Sequence, residues 1–246
     1  MEGATPLDLA LFVIATFGAS LVAGLAGFAF GLVAAAVWLH VLTPLQTTTL
    51  IVIFGLLVQG YSVWKLRGAL RIARLSPFLV GAALGVPVGV DVLRWADASD
   101  VRAWVGAVLI IYSLYSLARP RIAPFGAGGS TADSGIGFLS GILGGTTGLG
   151  GILPTVWCGL RGWPKEEQRA VFQPVAVAVF AMTALWLGGT GALSADILWL
   201  VAIGLPAMAL GTWLGLRLFG RLNEAWFRRI VLGLLLVSGI SLAIRW

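Results

Sequence analysis

Between Asp8 and Lys65 the chain carries no charged side chain at all, a run of 56 residues from Leu9 to Trp64. Soluble domains average about a quarter charged residues, so no water-soluble fold leaves a stretch of this length without them. The rest of the 246 residues follows suit: 59% are apolar, 11% charged, and the mean hydropathy is +0.98. A disordered chain would be charge-rich and apolar-poor. One cysteine (Cys158) and one histidine (His40) exclude an internal disulfide framework and any multi-histidine metal site. What remains is an all-α polytopic membrane protein, in contact with the lipid bilayer.

A helix needs about 20 apolar residues to cross the bilayer core. Blocks near 45–64, 70–90, 100–118, 170–188, 197–216 and 228–246 each suit one crossing. The blocks 7–41 and 134–160 do not: the first is too long and the second is split by glycines. The acidic start, Met1-Glu2-Gly3, does not read as a signal peptide, which would be basic there. The net charge of +6 does not point to nucleic acid, because the basic residues cluster in short segments between apolar blocks. Thirteen of the 16 fall in 65–74, 119–133, 161–169 and 217–229. If 7–41 and 134–160 are re-entrant hairpins, all four segments share the cytoplasmic side. If both are full crossings, the balance becomes 7 inside against 9 outside. Cytoplasmic loops are enriched in Lys and Arg, which favours the hairpins and puts both termini outside.

The halves resemble each other. Ala23-Gly24-Leu25-Ala26-Gly27 answers Ser140-Gly141-Ile142-Leu143-Gly144, while Gly85 and Gly89 answer Gly211 and Gly215 at an offset of 126, as Arg102 answers Arg228. The reading is residues 1–119 as a first membrane repeat, 120–134 as a polar linker and 135–246 as a second repeat. Each repeat holds one glycine-rich re-entrant hairpin and three transmembrane helices. An odd number of crossings forces the two copies into opposite orientations, the inverted-repeat plan of many secondary transporters.

The candidate chemistry lies in Ser140–Pro154, with glycines at 141, 144, 145, 148, 150 and 151. Each glycine costs a helix interior roughly 1 kcal/mol relative to alanine. Irregular backbone at membrane depth is tolerated only inside protein or around a wet cavity. A hairpin tip here would expose amides and the N-terminal end of a returning half-helix, both suited to an anion. Gly144, Gly145, Thr146, Thr147 and Gly148 are therefore candidate binding residues, with Gly27, Phe28 and Gly31 as their more apolar first-half counterparts. The competing explanation is close helix packing, since Gly27–Gly31, Gly141–Gly145 and Gly144–Gly148 all show small-xxx-small spacing. Gln173, polar within an apolar block and followed by Pro174, is a further pocket candidate. Gln59 reads as interfacial, as do Trp64, Trp95, Trp104, Trp163, Trp226 and Trp246 near predicted helix ends.

All ten carboxylates fall at predicted termini, loops or block edges, whereas proton and cation carriers place ionisable groups at mid-depth. No Walker loop, HExxH or intramembrane aspartate pair is present, so no enzymatic activity, cofactor or metal is expected.

Gly137-Phe-Leu-Ser140-Gly141-Ile-Leu-Gly144, the following glycine cluster and Arg169-Ala170 resemble the second repeat of the sulfite exporter TauE/SafE family, also called the toluene sulfonate uptake permeases. Leu21-Val-Ala23-Gly24-Leu-Ala-Gly27 resembles the first, and the pattern covers nearly the whole chain. The resemblance implies a two-repeat, multi-pass permease of the bacterial inner membrane that exports a small sulfur-containing anion, sulfite or an organosulfonate, without ATP hydrolysis. It also brings in Arg169, at the cytoplasmic mouth, either as a residue that draws anions in or as a positive-inside anchor. The sequence departs from the usual Gly-Gly-Gly cluster, with Gly27-Phe-Ala-Phe-Gly31 in one half and Gly144-Gly-Thr-Thr-Gly in the other. A carrier of another anion or sulfur species, a non-transporting accessory subunit and a homo-oligomer all stay open at this point.

Overall fold

The computed structural model describes residues 5–26, 29–66, 70–118, 129–218 and 224–244, and every regular element among them is an α-helix. In chain order these are α1 (Pro6–Ala26), α2 (Phe30–Val41), α3 (Pro44–Leu66), α4 (Ile72–Trp95), α5 (Ala98–Ala118), α6 (Ser130–Thr147), α7 (Ile152–Leu160), α8 (Lys165–Gly189), α9 (Ala195–Leu218) and α10 (Glu224–Ile244). Each of the six blocks expected to cross once is one helix: α3, α4, α5, α8, α9 and α10. Among the described residues α1, α4, α5, α8 and α9 are long and apolar enough to span a bilayer, which makes this a multi-pass membrane protein.

Local chemistry fixes several boundaries. Thr5-Pro6-Leu7-Asp8 and Thr43-Pro44-Leu45-Gln46 start α1 and α3 with the same device. The threonine hydroxyl accepts from the backbone N–H three residues on, at 3.3 and 3.2 Å, and the Asp or Gln side chain accepts in return from the threonine N–H, at 2.9 and 3.1 Å. These are capping boxes with proline in the first turn, where its missing N–H costs nothing. α6 starts at Ser130, so the last residues assigned to a linker are helical. Within α4, Pro77 strips the Ala73 carbonyl of its helical donor, and the Ser76 hydroxyl donates to that carbonyl at 3.4 Å.

The chain divides into two compact units that do not follow its two halves. Met1–Phe54, Ala96–Pro120 and Leu193–Trp246 form one; Gly55–Trp95 and Arg121–Ala192 form the other.

In the first unit α1 lies on α9, and α2 folds back along α1 so that Phe12 and Trp38 meet with ring centroids 5.1 Å apart. Phe30 and Phe54 complete a fully buried aromatic cluster around Trp38. Arg102 of α5 donates to the Leu39 carbonyl at 3.0 Å, next to the negative end of α2.

In the second unit α4 lies on α6 along a seam of glycines. Gly81, Gly85 and Gly89 face Gly137, Gly141 and Gly145, and the backbones approach until carbonyls occupy the space a Cβ would take. The first unit repeats this pattern. A Cβ on Gly24 would meet the Thr212 carbonyl and the Leu216 N–H, and one on Gly141 would meet the Ala82 carbonyl and the Val86 N–H. Likewise Gly211 and Gly215 meet the Phe17 and Leu21 carbonyls, as Gly81 and Gly85 meet those of Ser134 and Phe138. The seam is periodic, so it fits Gly211 and Gly215 to Gly85 and Gly89, the offset of 126 read from the sequence, as well as to Gly81 and Gly85: a Cβ on Gly145 meets the Val86 carbonyl and the Val90 N–H just as one on Gly141 meets those of Ala82 and Val86.

Candidate functional site

The second unit holds a broken helix pair. α6 ends at Gly148, whose φ of 73° is left-handed, and its N–H donates to the Gly144 carbonyl at 2.8 Å. Glycine takes that conformation without a Cβ penalty. Four residues later, at Ile152, the short α7 begins and runs back beside α6. The Ser140 hydroxyl donates to the Gly150 carbonyl across the pair.

At the turn, the Ile152 N–H donates to the Leu149 carbonyl at 3.2 Å and the Leu149 N–H to the Thr147 hydroxyl at 3.3 Å. Among the described residues, the amides of Gly150, Gly151 and Leu153 have no acceptor. Pro154, next in the first turn of α7, has no N–H to offer. Three donors thus stand at the positive end of a helix. Asp133 lies in the first turn of α6 and Glu166 and Glu167 in that of α8, whereas Asp91 of α4 comes two residues after Gly89, whose carbonyl accepts from Thr146. α8 covers the turn, since Ala176 would sit 3.1 Å from a Cβ on Gly151 and Val179 is packed against Gly144 and Gly150.

The expected site residues divide among several places. Gly144 and Gly148 are at the turn. Gly145 is on the α4 seam, where a Cβ would meet the Val86 carbonyl at 2.7 Å. Thr146 and Thr147 are buried beside the turn. The single Thr146 hydroxyl proton is shared between the carbonyls of Ile142 (2.8 Å) and Gly89 (3.0 Å), and the Thr147 hydroxyl donates to Leu143 (2.6 Å). Their protons therefore face the backbone in this conformation. Gln173 is buried one turn before Ala176 on α8 and is hydrogen-bonded or otherwise engaged. Arg169 is exposed a further turn away from the turn residues. Gly31 lies in the first turn of α2, in the other unit, just after Ala29, whose φ of 78° is left-handed without being glycine. Gly27 and Phe28 lie outside the described residues. Gln59, expected at an interface, is buried at 7% exposure.

Sequence reasoning missed the closure at the base of the pair. Asp133, in the first turn of α6, accepts from Trp157 Nε1 at 2.8 Å and pairs with Arg161 at 3.5 Å, both from the end of α7. The Asp133 and Arg161 side chains are only 14% and 16% exposed. Arg161 also stacks over Trp157 and Trp163, at 5.8 and 5.2 Å from the ring centroids. The signal available was a lone carboxylate opening an apolar helix, with an aromatic and an arginine at the end of the next. Asp133→Ala is expected to lower unfolding free energy by about 2–4 kcal/mol, because it removes an acceptor shared by two largely buried donors. Asp133→Asn should lose about half as much, since it still accepts from Trp157. Thermal unfolding in detergent measures both, and an Asp133→Ala protein as stable as the parent would mean that the base is held by packing alone.

The family model described as Sulfite exporter TauE/SafE matches residues 12–242. The chain belongs to that family. The match takes in the turn, the glycine seams and all ten helices in whole or part, so this TauE/SafE chain is a multi-pass member of a transporter family. Neither a curated protein nor a solved structure matches it. Among the described residues no group of three His, Cys, Asp or Glu is placed to hold a metal ion.

Proposed function

We propose that this TauE/SafE protein is a secondary permease that exports a small sulfur oxyanion or organosulfonate across a bacterial inner membrane, holding the negative group at the 148–151 turn. The observation that carries this reading is the trio of unpartnered amides at the start of α7. Such amides satisfy an anion with fixed dipoles and need no buried counter-charge. With the hydroxyl protons of Thr146 and Thr147 turned to carbonyls, the amides are the donors and the threonines hold the turn in shape.

Two features support re-entrant hairpins in inverted repeats of residues 1–119 and 135–246. Arg74 and Glu167 meet at 2.5 Å, so the basic segments 65–74 and 161–169 share one end of their unit, the arrangement that the charge count favours. The glycine seams also repeat the same backbone contacts with exchanged partners. Transport of another anion, and a purely structural accessory role, are the alternatives that experiment must separate.

Purified protein in proteoliposomes is expected to give saturable sulfite flux that methanesulfonate competes with and choline does not. Flux of a different anion with no effect of sulfite would replace the substrate. Absence of both flux and saturable anion binding would favour the accessory role.

A further inference from the structure

Away from the turn, the starts of α4 and α8 enclose a cleft of about 330 Å³ lined by Leu70, Arg71, Arg74, Glu166, Glu167, Ala170 and Val171. Its charges are ordered. Arg74 Nη1 binds Glu167 Oε2 at 2.5 Å, and its guanidinium also lies 5.2 Å from the centre of the Trp163 ring. Trp163 is thus flanked by Arg74 on the cleft side and by Arg161 of the hairpin base. Arg71, at the start of α4, makes no ion pair among the described residues. The cleft floor, Ala170 and Val171, continues along α8 to Gln173 and Ala176, which covers the turn.

We propose that this cleft is an outer site for the same anion, in which the Glu167 carboxylate is a tethered competitor occupying Arg74 until substrate displaces it. The inference rests on the anion-permease reading above and adds where substrate is first held. The side chains of Arg74 and Glu167 are 41% and 45% exposed. A pair so well solvated is worth at most about fivefold in an equilibrium constant, so an arriving oxyanion can exchange for the carboxylate. The anion then sits between Arg74 and Arg71, while Leu70, Ala170 and Val171 give an apolar wall for the carbon part of a sulfonate. Glu166 on the rim opposes the anion, which keeps occupancy weak enough for onward release.

Trp163 reports on this exchange. Titrating the full-length protein in detergent with sodium butanesulfonate, at ionic strength fixed with sodium chloride, should change its tryptophan emission, and Trp163→Phe should remove that component. Glu167→Gln is expected to lower the midpoint by about fivefold, and Arg71→Gln and Arg74→Gln to raise it by at least as much. Arg71→Lys should recover most of the loss. A Trp163 response whose midpoint is unmoved by Glu167→Gln and Arg71→Gln overturns the outer site, as does the absence of any Trp163 response. Flux through the Gly151→Pro variant described below judges the turn separately. If that variant raises the half-saturating concentration for flux while the cleft variants change nothing, the outer site fails and the turn reading stands; if the cleft responds and Gly151→Pro transports with the parent's half-saturating concentration, the turn reading fails.

Discussion

Adding one methyl group at Gly85 or Gly141 is expected to destabilise the protein by about 3 kcal/mol, near the upper end for overpacking. A Cβ on Gly85 would run into the Phe138 carbonyl and lie 3.0 Å from the Ile142 N–H. One on Gly141 would lie 2.5 Å from the Ala82 carbonyl and 2.8 Å from the Val86 N–H. What it meets in both cases is helix backbone, which cannot swing aside as a side chain can. α4 and α6 must separate along their length, and each glycine contact on the seam loosens with them. Gly135, on the same helix α6, supplies the control, because nothing lies within 4 Å of its added Cβ. Gly135→Ala should be neutral or stabilising by up to about 1 kcal/mol, as expected where alanine replaces glycine in a helix. Denaturant unfolding followed by tryptophan emission compares the three. Equal stability of Gly85→Ala and Gly135→Ala would show that the helices are not in contact at this spacing.

The second large effect is on transport. Gly151→Pro is expected to raise the half-saturating anion concentration about tenfold or more, the equivalent of losing one hydrogen bond to a charged group at roughly 1.5–3 kcal/mol. Gly151 has φ −75° and ψ −14°, which the proline ring accepts. Its N–H has no acceptor among the described residues, so folding loses no bond seen there, and the preceding residue is Gly150, without the Cβ that crowds a following proline. Gly151→Ala is the matched comparison. It introduces the same Cβ, 3.1 Å from that of Ala176, but keeps the N–H. Proline should lose affinity while alanine stays within about threefold of the parent, as a lost contact without a lost charged hydrogen bond would. Equal loss in both would assign the effect to crowding against α8.

The long helices were legible because an apolar block bounded by Lys, Arg or Asp has one way to satisfy its backbone in lipid; which of them cross was not, since α1, expected in a hairpin, is as long and apolar as a crossing helix. The turn was legible for a related reason, since the glycines from 144 to 151 are too dense for continuous helix. The register between the halves was not. Glycines on α4 recur every four residues, at 81, 85 and 89, so a match by residue type fits equally well one turn to either side, and the carbonyls they touch repeat with the same period. Thr146 and Thr147 were read as ligand groups because sequence shows a hydroxyl but not its direction. In a helix that hydroxyl finds the carbonyl one turn back. Asp133 was read as part of a polar linker, and only the return of α7 reveals Trp157 and Arg161 as its partners. The grouping of helices into units was beyond reach too, since no residue of α4 announces that its neighbour is α6.

The amides themselves give the most direct test. In protein labelled with ¹⁵N-glycine, with Gly151→Ala used to assign its resonance, sulfite at constant ionic strength is expected to shift the amide signals of Gly150 and Gly151 in a saturable way and to leave Gly135 unmoved. Saturable sulfite binding that leaves Gly150 and Gly151 where they were would contradict the account.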